Sequence, residues 1–119
     1  MRTTEADILR AIRLALGKEE GLVLWRLGSG MVHARDGRVV RLGLSANGGA
    51  DLIGVLSPLG RWFALEIKCR GRLSREQKQW LALVRRMGGF ACCIREQVPS
   101  AAVQAAQDAL ARARAGLCE

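Results

Sequence analysis

The chain has 119 residues, half of them hydrophobic and a quarter charged, which is the composition of one globular domain with one core and excludes a disordered or fibrous protein. No apolar run approaches the length of a membrane span, and the opening MRTTEAD lacks the n-region and h-region of a secretory signal; the reading is a single cytoplasmic domain over 1–119. A formal charge of +8, with 16 of the 19 basic residues arginine, points to a polyanionic partner, because guanidinium groups grip phosphate bidentately. Arginine runs from Arg2 to Arg114 rather than along one helix face, so a membrane surface is the weaker fit.

In chain order, Ile8, Leu9, Ile12, Ala15 and Leu16 recur at helical spacing and predict a first helix over 4–16, with Thr3 or Thr4 as N-cap and Gly17 at its end. Strands are predicted at 22–27 (LVLWRL), closed by Gly28-Ser29-Gly30, and at 38–44 after the Asp36-Gly37 turn. A flexible loop, 45–49, precedes a hairpin of DLIGVL and RWFALEIKC about Ser57-Pro58-Leu59-Gly60, whose residue preferences are those of a type I turn. Ser74-Arg75-Glu76-Gln77 is a capping-box pattern and opens a helix over 74–87; FACCIR at 90–95 is a buried strand, and an alanine-rich helix spans 100–115 between Pro99 and Gly116. Together these make an α/β unit with helices on a mixed sheet, and the helix between 61–69 and 90–95 makes those strands parallel by a right-handed crossover. Cys69, Cys92, Cys93 and Cys118 have no CxxC spacing and His33 is the lone histidine, so a Cys/His zinc site is excluded. Cys92 and Cys93 read as small core residues, Cys118 as part of a frayed tail, and Trp25, Trp62 and Trp80 as core rather than base-stacking platforms.

The hairpin carries the chemistry. Centred between Pro58 and Leu59, its register pairs Ile53 with Ala64 and Asp51 with Glu66, making two carboxylates direct neighbours. Like charges placed opposite one another are unfavourable, and a hard divalent cation such as Mg²⁺ removes the penalty. Alternation puts Ala64, Glu66 and Lys68 on one strand face and Phe63, Leu65, Ile67 and Cys69 on the other. A lysine beside a metal-bound carboxylate stabilises charge on a phosphoryl oxygen, although an ExK by itself also describes an ordinary solvated ion pair. Glu5 lies on the apolar stripe of the first helix and Gln77 on that of the second, so both are predicted to point inward; the bland alternatives are a first-turn acid favoured by the helix dipole and a capping-box partner of Ser74.

Taken in order, Glu5, Gly48-Gly49-Ala50-Asp51, Glu66-Ile67-Lys68 and Leu73-Ser74-Arg75-Glu76-Gln77 resemble the VRR-NUC (virus-type replication-repair nuclease) domains of the restriction-endonuclease-like PD-(D/E)xK superfamily, with Ala50 in place of the superfamily proline. The resemblance covers nearly the whole chain and implies an αβββαβ core with a C-terminal helix added. It implies Mg²⁺ or Mn²⁺ ligated by Asp51, Glu66 and the Ile67 main-chain carbonyl, with Glu5 a ligand directly or through water, Lys68 at the nucleophilic water and Gln77 an orienting group. The implied activity is metal-dependent hydrolysis of phosphodiesters in branched DNA, as by a Holliday junction resolvase, in phage or prophage DNA metabolism. Two cuts need two sites, hence a homodimer. Arg26, Arg35, Arg38, Arg41, Arg70, Arg72 and Arg75 are the candidate phosphate contacts, and His33 reads as an incidental loop residue. The competing readings are a DNA-binding subunit that keeps the fold without the chemistry, and a basic ribonucleoprotein component, which the scarcity of aromatics disfavours.

Overall fold

The computed structural model of the chain describes residues 3–27, 30–42 and 50–119, the strand residues 30–33 and 39–42 by backbone alone. The elements run α1 (Glu5–Leu16), β1 (Leu22–Arg26), β2 (Gly30–His33), β3 (Val39–Leu42), β4 (Leu52–Leu56), β5 (Arg61–Ile67), α2 (Arg75–Arg86), β6 (Phe90–Ile94) and α3 (Pro99–Arg114). Sequence and structure agree closely on the helices. Thr4 caps α1 and Ser74 caps α2, each in a reciprocal capping box, with Asp7 and Gln77 as the respective partners; α3 begins at Pro99, which therefore stands inside its first turn, where a missing N–H costs nothing.

Four strands form one mixed sheet in the order β1-β4-β5-β6, antiparallel except for the parallel β5–β6 pair that α2 connects. The strand predicted at 38–44 does not join this sheet. As β3 it pairs with β2 in a separate antiparallel ribbon, so His33 is a strand residue opposite Val39 rather than part of a loop. Residues 43–49, including the proposed flexible loop and Gly48-Gly49, and the Gly28-Ser29 closure lie outside the described residues. With the β2–β3 ribbon set aside as an insertion, the sheet and its helices follow an αβββαβ order with a C-terminal helix added.

Both faces of the sheet are covered. On one, Ile8, Ile12 and Leu16 of α1 and Ala102, Ala106, Ala109 and Ala113 of α3 pack against Phe63, Leu65 and Ile67 of β5, around the stacked rings of Phe63 and Phe90, 5.4 Å apart. The alanines recur at four- and three-residue intervals, so α3 presents a stripe with little side-chain bulk and can approach closely. On the other face α2 contributes Leu81 and Val84 to a smaller cluster with Ala50, Ile53, Ala64 and Ala91. Gly54 of β4 meets the same crowding from β1, since a Cβ there would stand 2.7 Å from the Val23 carbonyl oxygen. Trp25 and Trp62, placed in the core by the sequence reading, are half exposed, at 50% and 48%; Trp25 stands on the edge strand β1, and Trp62 lines an open groove with Trp80, Leu83 and Val84 of α2. The tail is not frayed: the Cys118 carbonyl accepts the Ala91 N–H at 3.1 Å, and Arg61 donates to the carbonyls of Gly88, Ala113 and Leu117.

Candidate functional site

The β4–β5 register is Leu52↔Leu65, Ile53↔Ala64 and Leu56↔Arg61, the pairing that the turn residues predict; the Ser57–Pro58 peptide bond in that turn is cis. One step beyond Leu52↔Leu65 stand Asp51 and Glu66. Asp51 just precedes β4, and its Oδ2 accepts the Ile67 N–H at 2.8 Å while its carbonyl accepts the Leu27 N–H at 2.9 Å. The aspartate thus closes the end of β1 on one side and reaches across to β5 on the other.

Glu66 is the buried charged residue of the described core, 3% exposed. Alternation along β5 sends Phe63, Leu65, Ile67 and Cys69 to the α1–α3 core and Ala64 to the α2 core, so Glu66 and the half-buried Lys68 face α2, as the pattern predicts. Burial first, and then the neighbouring Asp51 carboxylate, push the Glu66 carboxyl up to about 8, against a smaller opposing pull from Lys68. Without a cation Glu66 keeps its proton at neutral pH, because a buried carboxyl beside a second one ionises only at a cost.

Gln77 performs two tasks. Its Oε1 accepts the Ser74 N–H at 2.7 Å as the capping box requires, and that bond turns its Nε2 toward Glu66 Oε1, 3.2 Å away. The bland and the functional readings of Gln77 are therefore both true, since the cap sets the orientation of the amide and the amide orients the buried carboxyl. Glu5 corrects the expectation of an inward-pointing residue. It is exposed at the first position of α1, where the helix axis carries it past the sheet, and its Oε1 accepts the Cys69 N–H at 3.2 Å, ending the β5 ladder. It stands at the rim of the group, near enough to raise the Glu66 carboxyl slightly.

The donor set is that of a hard-cation site: two neighbouring carboxylate side chains and the nearby main chain of Ile67, with a proton on Glu66 that a divalent ion would replace. Among the described residues no three His, Cys, Asp or Glu side chains converge as a closed metal cage; the pair instead resembles the one- or two-carboxylate sites in which Mg²⁺ keeps several waters. Of the arginines, Arg26 ends β1 beside the Asp51 strand end, Arg70 and Arg72 are exposed on the β5–α2 connection that follows Lys68, and Arg75 is exposed at the first position of α2. Arg35 and Arg38 sit at the tip of the β2–β3 ribbon, where Arg38 is engaged with Asp36 at 2.6 Å. The Arg41 side chain lies outside the described residues.

Cys93 and Arg95 escaped the sequence reading. Cys93 is half-buried and is the parallel partner of Glu66, so it belongs to the site face rather than to the interior with Cys92. The signal available in the sequence was the alternation of β6, Ala91-Cys92-Cys93-Ile94-Arg95, once β5–β6 pairing is known. No helix among the described residues is long and apolar enough to cross a membrane. No protein-family model matches the chain, and neither the curated proteins nor the solved structures hold a match to it.

Proposed function

We propose that the chain is a Mg²⁺- or Mn²⁺-dependent endonuclease of the VRR-NUC type, hydrolysing phosphodiesters in branched DNA as a Holliday junction resolvase does and acting as a homodimer in phage or prophage DNA replication, repair or recombination. The observation that carries this reading is the buried Glu66 carboxyl, set beside Asp51 at the ends of β4 and β5 with Lys68 on the same strand face. A carboxylate pair at such a cost in a small domain needs a charge partner, and the αβββαβ order around it is that of restriction-endonuclease-like nucleases.

Asp51, Glu66 and the Ile67 carbonyl would hold the ion, which when bound supplies positive charge to the scissile phosphate and acidifies water. Gln77 holds Glu66 in orientation through its Nε2, and Asp51 is held by the Ile67 N–H, so one carboxylate is preorganised by a side-chain amide and the other by the main chain. Lys68 places an ammonium where it can hold the attacking water or offset charge growing on a phosphoryl oxygen. The net charge of +8 draws the polyanion to the surface.

Cleavage of a labelled four-way junction beside a flap, a splayed arm and linear duplex tests the reading, with EDTA, Asp51→Asn and Glu66→Ala as controls. Expected are paired nicks in the junction that need the metal and disappear in both variants, with Asp51→Asn still binding DNA. Wild-type cleavage rates in Asp51→Asn would mean the active site is elsewhere. The second reading, a DNA-binding subunit without chemistry, is favoured by the use of Glu5 to end the β5 ladder instead of as a ligand, and it predicts tight, salt-sensitive binding with no cleavage of any substrate.

A further inference from the structure

The β5–β6 ladder runs on past the carboxylates. Glu66 pairs with Cys93 and Ile67 with Ile94, and the Lys68 N–H donates to the Ile94 carbonyl at 3.0 Å; one further step of the same register sets Lys68 beside Arg95. Along β6, Cys92 and Ile94 belong to the α1–α3 core and Ala91 to the α2 core, so alternation assigns Cys93 and Arg95 to the α2 side, with Glu66 and Lys68. The Cys93 thiol reports the same grouping: it is raised first by burial, and the charges acting on it are those of Arg95, Glu66, Lys68 and Asp51. The register thus sets Glu66 and Lys68 of one strand level with Cys93 and Arg95 of the other.

Arg95 is exposed, and its Nη1 donates to the Gly71 carbonyl at 3.1 Å. That single bond ties the guanidinium to the β5–α2 connection and leaves most of its five N–H donors free for a ligand. Adjacent cations on one sheet face cost stability just as adjacent carboxylates do, and the matching offset is an anion. A guanidinium takes two phosphate oxygens at once, and a neighbouring ammonium adds a point charge.

We propose that Arg95, together with Lys68, forms a phosphate subsite at the ends of β5 and β6 that holds the DNA backbone beside the Asp51–Glu66 pair. Arg95 is in this assignment a substrate-binding residue outside the set that the sequence suggests. The proposal takes its substrate class from the nuclease reading, but binding through Arg95 requires no catalysis, and the two can fail separately.

The experiment measures DNA affinity against salt concentration in EDTA, and steady-state cleavage of the same junction in Mg²⁺, for the wild type, Arg95→Ala, Arg95→Gln, Arg95→Lys and, as a remote control, Arg10→Ala. Arg95→Ala is expected to weaken binding about 10-fold and to lower the slope of log affinity against log salt by about one, as loss of one phosphate contact does. In cleavage KM rises more than kcat falls. Arg95→Lys restores most of the binding and Arg10→Ala changes neither quantity. Arg95→Gln separates charge from loop support: a phosphate subsite needs the charge, so Gln binds as weakly as Ala, whereas recovery by Gln would reduce Arg95 to a prop for Gly71 and overturn the proposal. Unchanged affinity and slope in Arg95→Ala would also overturn it, and if the wild type cleaves, would leave the nuclease reading standing. Arg95-dependent binding by a wild type that cuts nothing supports the subsite and removes the nuclease; a wild type that binds no DNA removes both.

Discussion

Glu66 concentrates the tension of this fold in one side chain. Its carboxyl holds a proton up to about pH 8, chiefly through burial and then through Asp51, whereas an unfolded glutamate loses that proton near pH 4.3. Between these two values the native state binds more protons than the unfolded one, so the metal-free protein is expected to lose stability as pH rises from about 4.5 to 8 and to change little from this group beyond. Glu66→Gln, which cannot ionise, should flatten that part of the profile in chemical unfolding measured from pH 5 to 8. A divalent cation competes with the Glu66 proton, so Mn²⁺ should raise the melting temperature of the wild type more at pH 8 than at pH 6 and leave Glu66→Gln almost unmoved. Equal Mn²⁺ shifts in the two proteins would place cation binding outside the Asp51–Glu66 pair.

At the scale of elements, the capping box of α2 is coupled to the site. Ser74 accepts the Gln77 N–H at 3.0 Å and Gln77 returns a bond to the Ser74 N–H, which leaves the amide nitrogen directed at Glu66. Ser74→Ala should cost about 1 kcal/mol in unfolding free energy, the usual worth of such a cap, and in addition release Gln77. Thr4→Ala at the matching cap of α1 should cost about the same with no consequence for Gln77, so a comparison of the two variants in cleavage distinguishes the stability loss from the loss of orientation. Comparable activity losses in both would mean that the Gln77 cap has no separate effect on the site. Most of the element boundaries were legible in the sequence because caps, glycines and apolar periodicity are local signals. The β2–β3 ribbon was not, since whether a strand joins the main sheet depends on long-range pairing that no local pattern specifies.

The whole molecule is held by a core between the sheet and the α1–α3 layer, and by a clasp at its C-terminal end. Phe63 is fully buried, stacked on Phe90 and central to that core; Phe63→Ala should destabilise by about 3–5 kcal/mol, read by chemical denaturation. Arg61 joins the β4–β5 turn to the ends of α2 and α3 through three carbonyls. Arg61→Ala should therefore cost on the order of 2 kcal/mol and open the tail, measured as faster amide exchange at Ala91, whose N–H is bonded to Cys118. An unaltered exchange rate there would show that the tail holds without the clasp.

The order of the helices and of the four main-sheet strands, the hairpin register and the adjacency of Asp51 to Glu66 all follow from the sequence, because a turn signal and a period-two pattern act over a few residues and carry straight through to pairing. Lys68 shares the Glu66 face for the same reason. Tertiary structure alone decided the rest. Glu5 lies on the apolar stripe by spacing yet stands exposed, since the packing of α1 against α3 and the sheet sets which part of the stripe is covered. Gln77 acquires its second partner only when α2 docks over β5, and Trp25 and Trp62 are left half exposed, the one on the edge strand β1 and the other in an open groove beside α2. Arg95 meets Lys68 through a parallel pairing that spans a whole crossover helix. Such neighbours are made by the path of the chain through space, and a local pattern holds no record of that path.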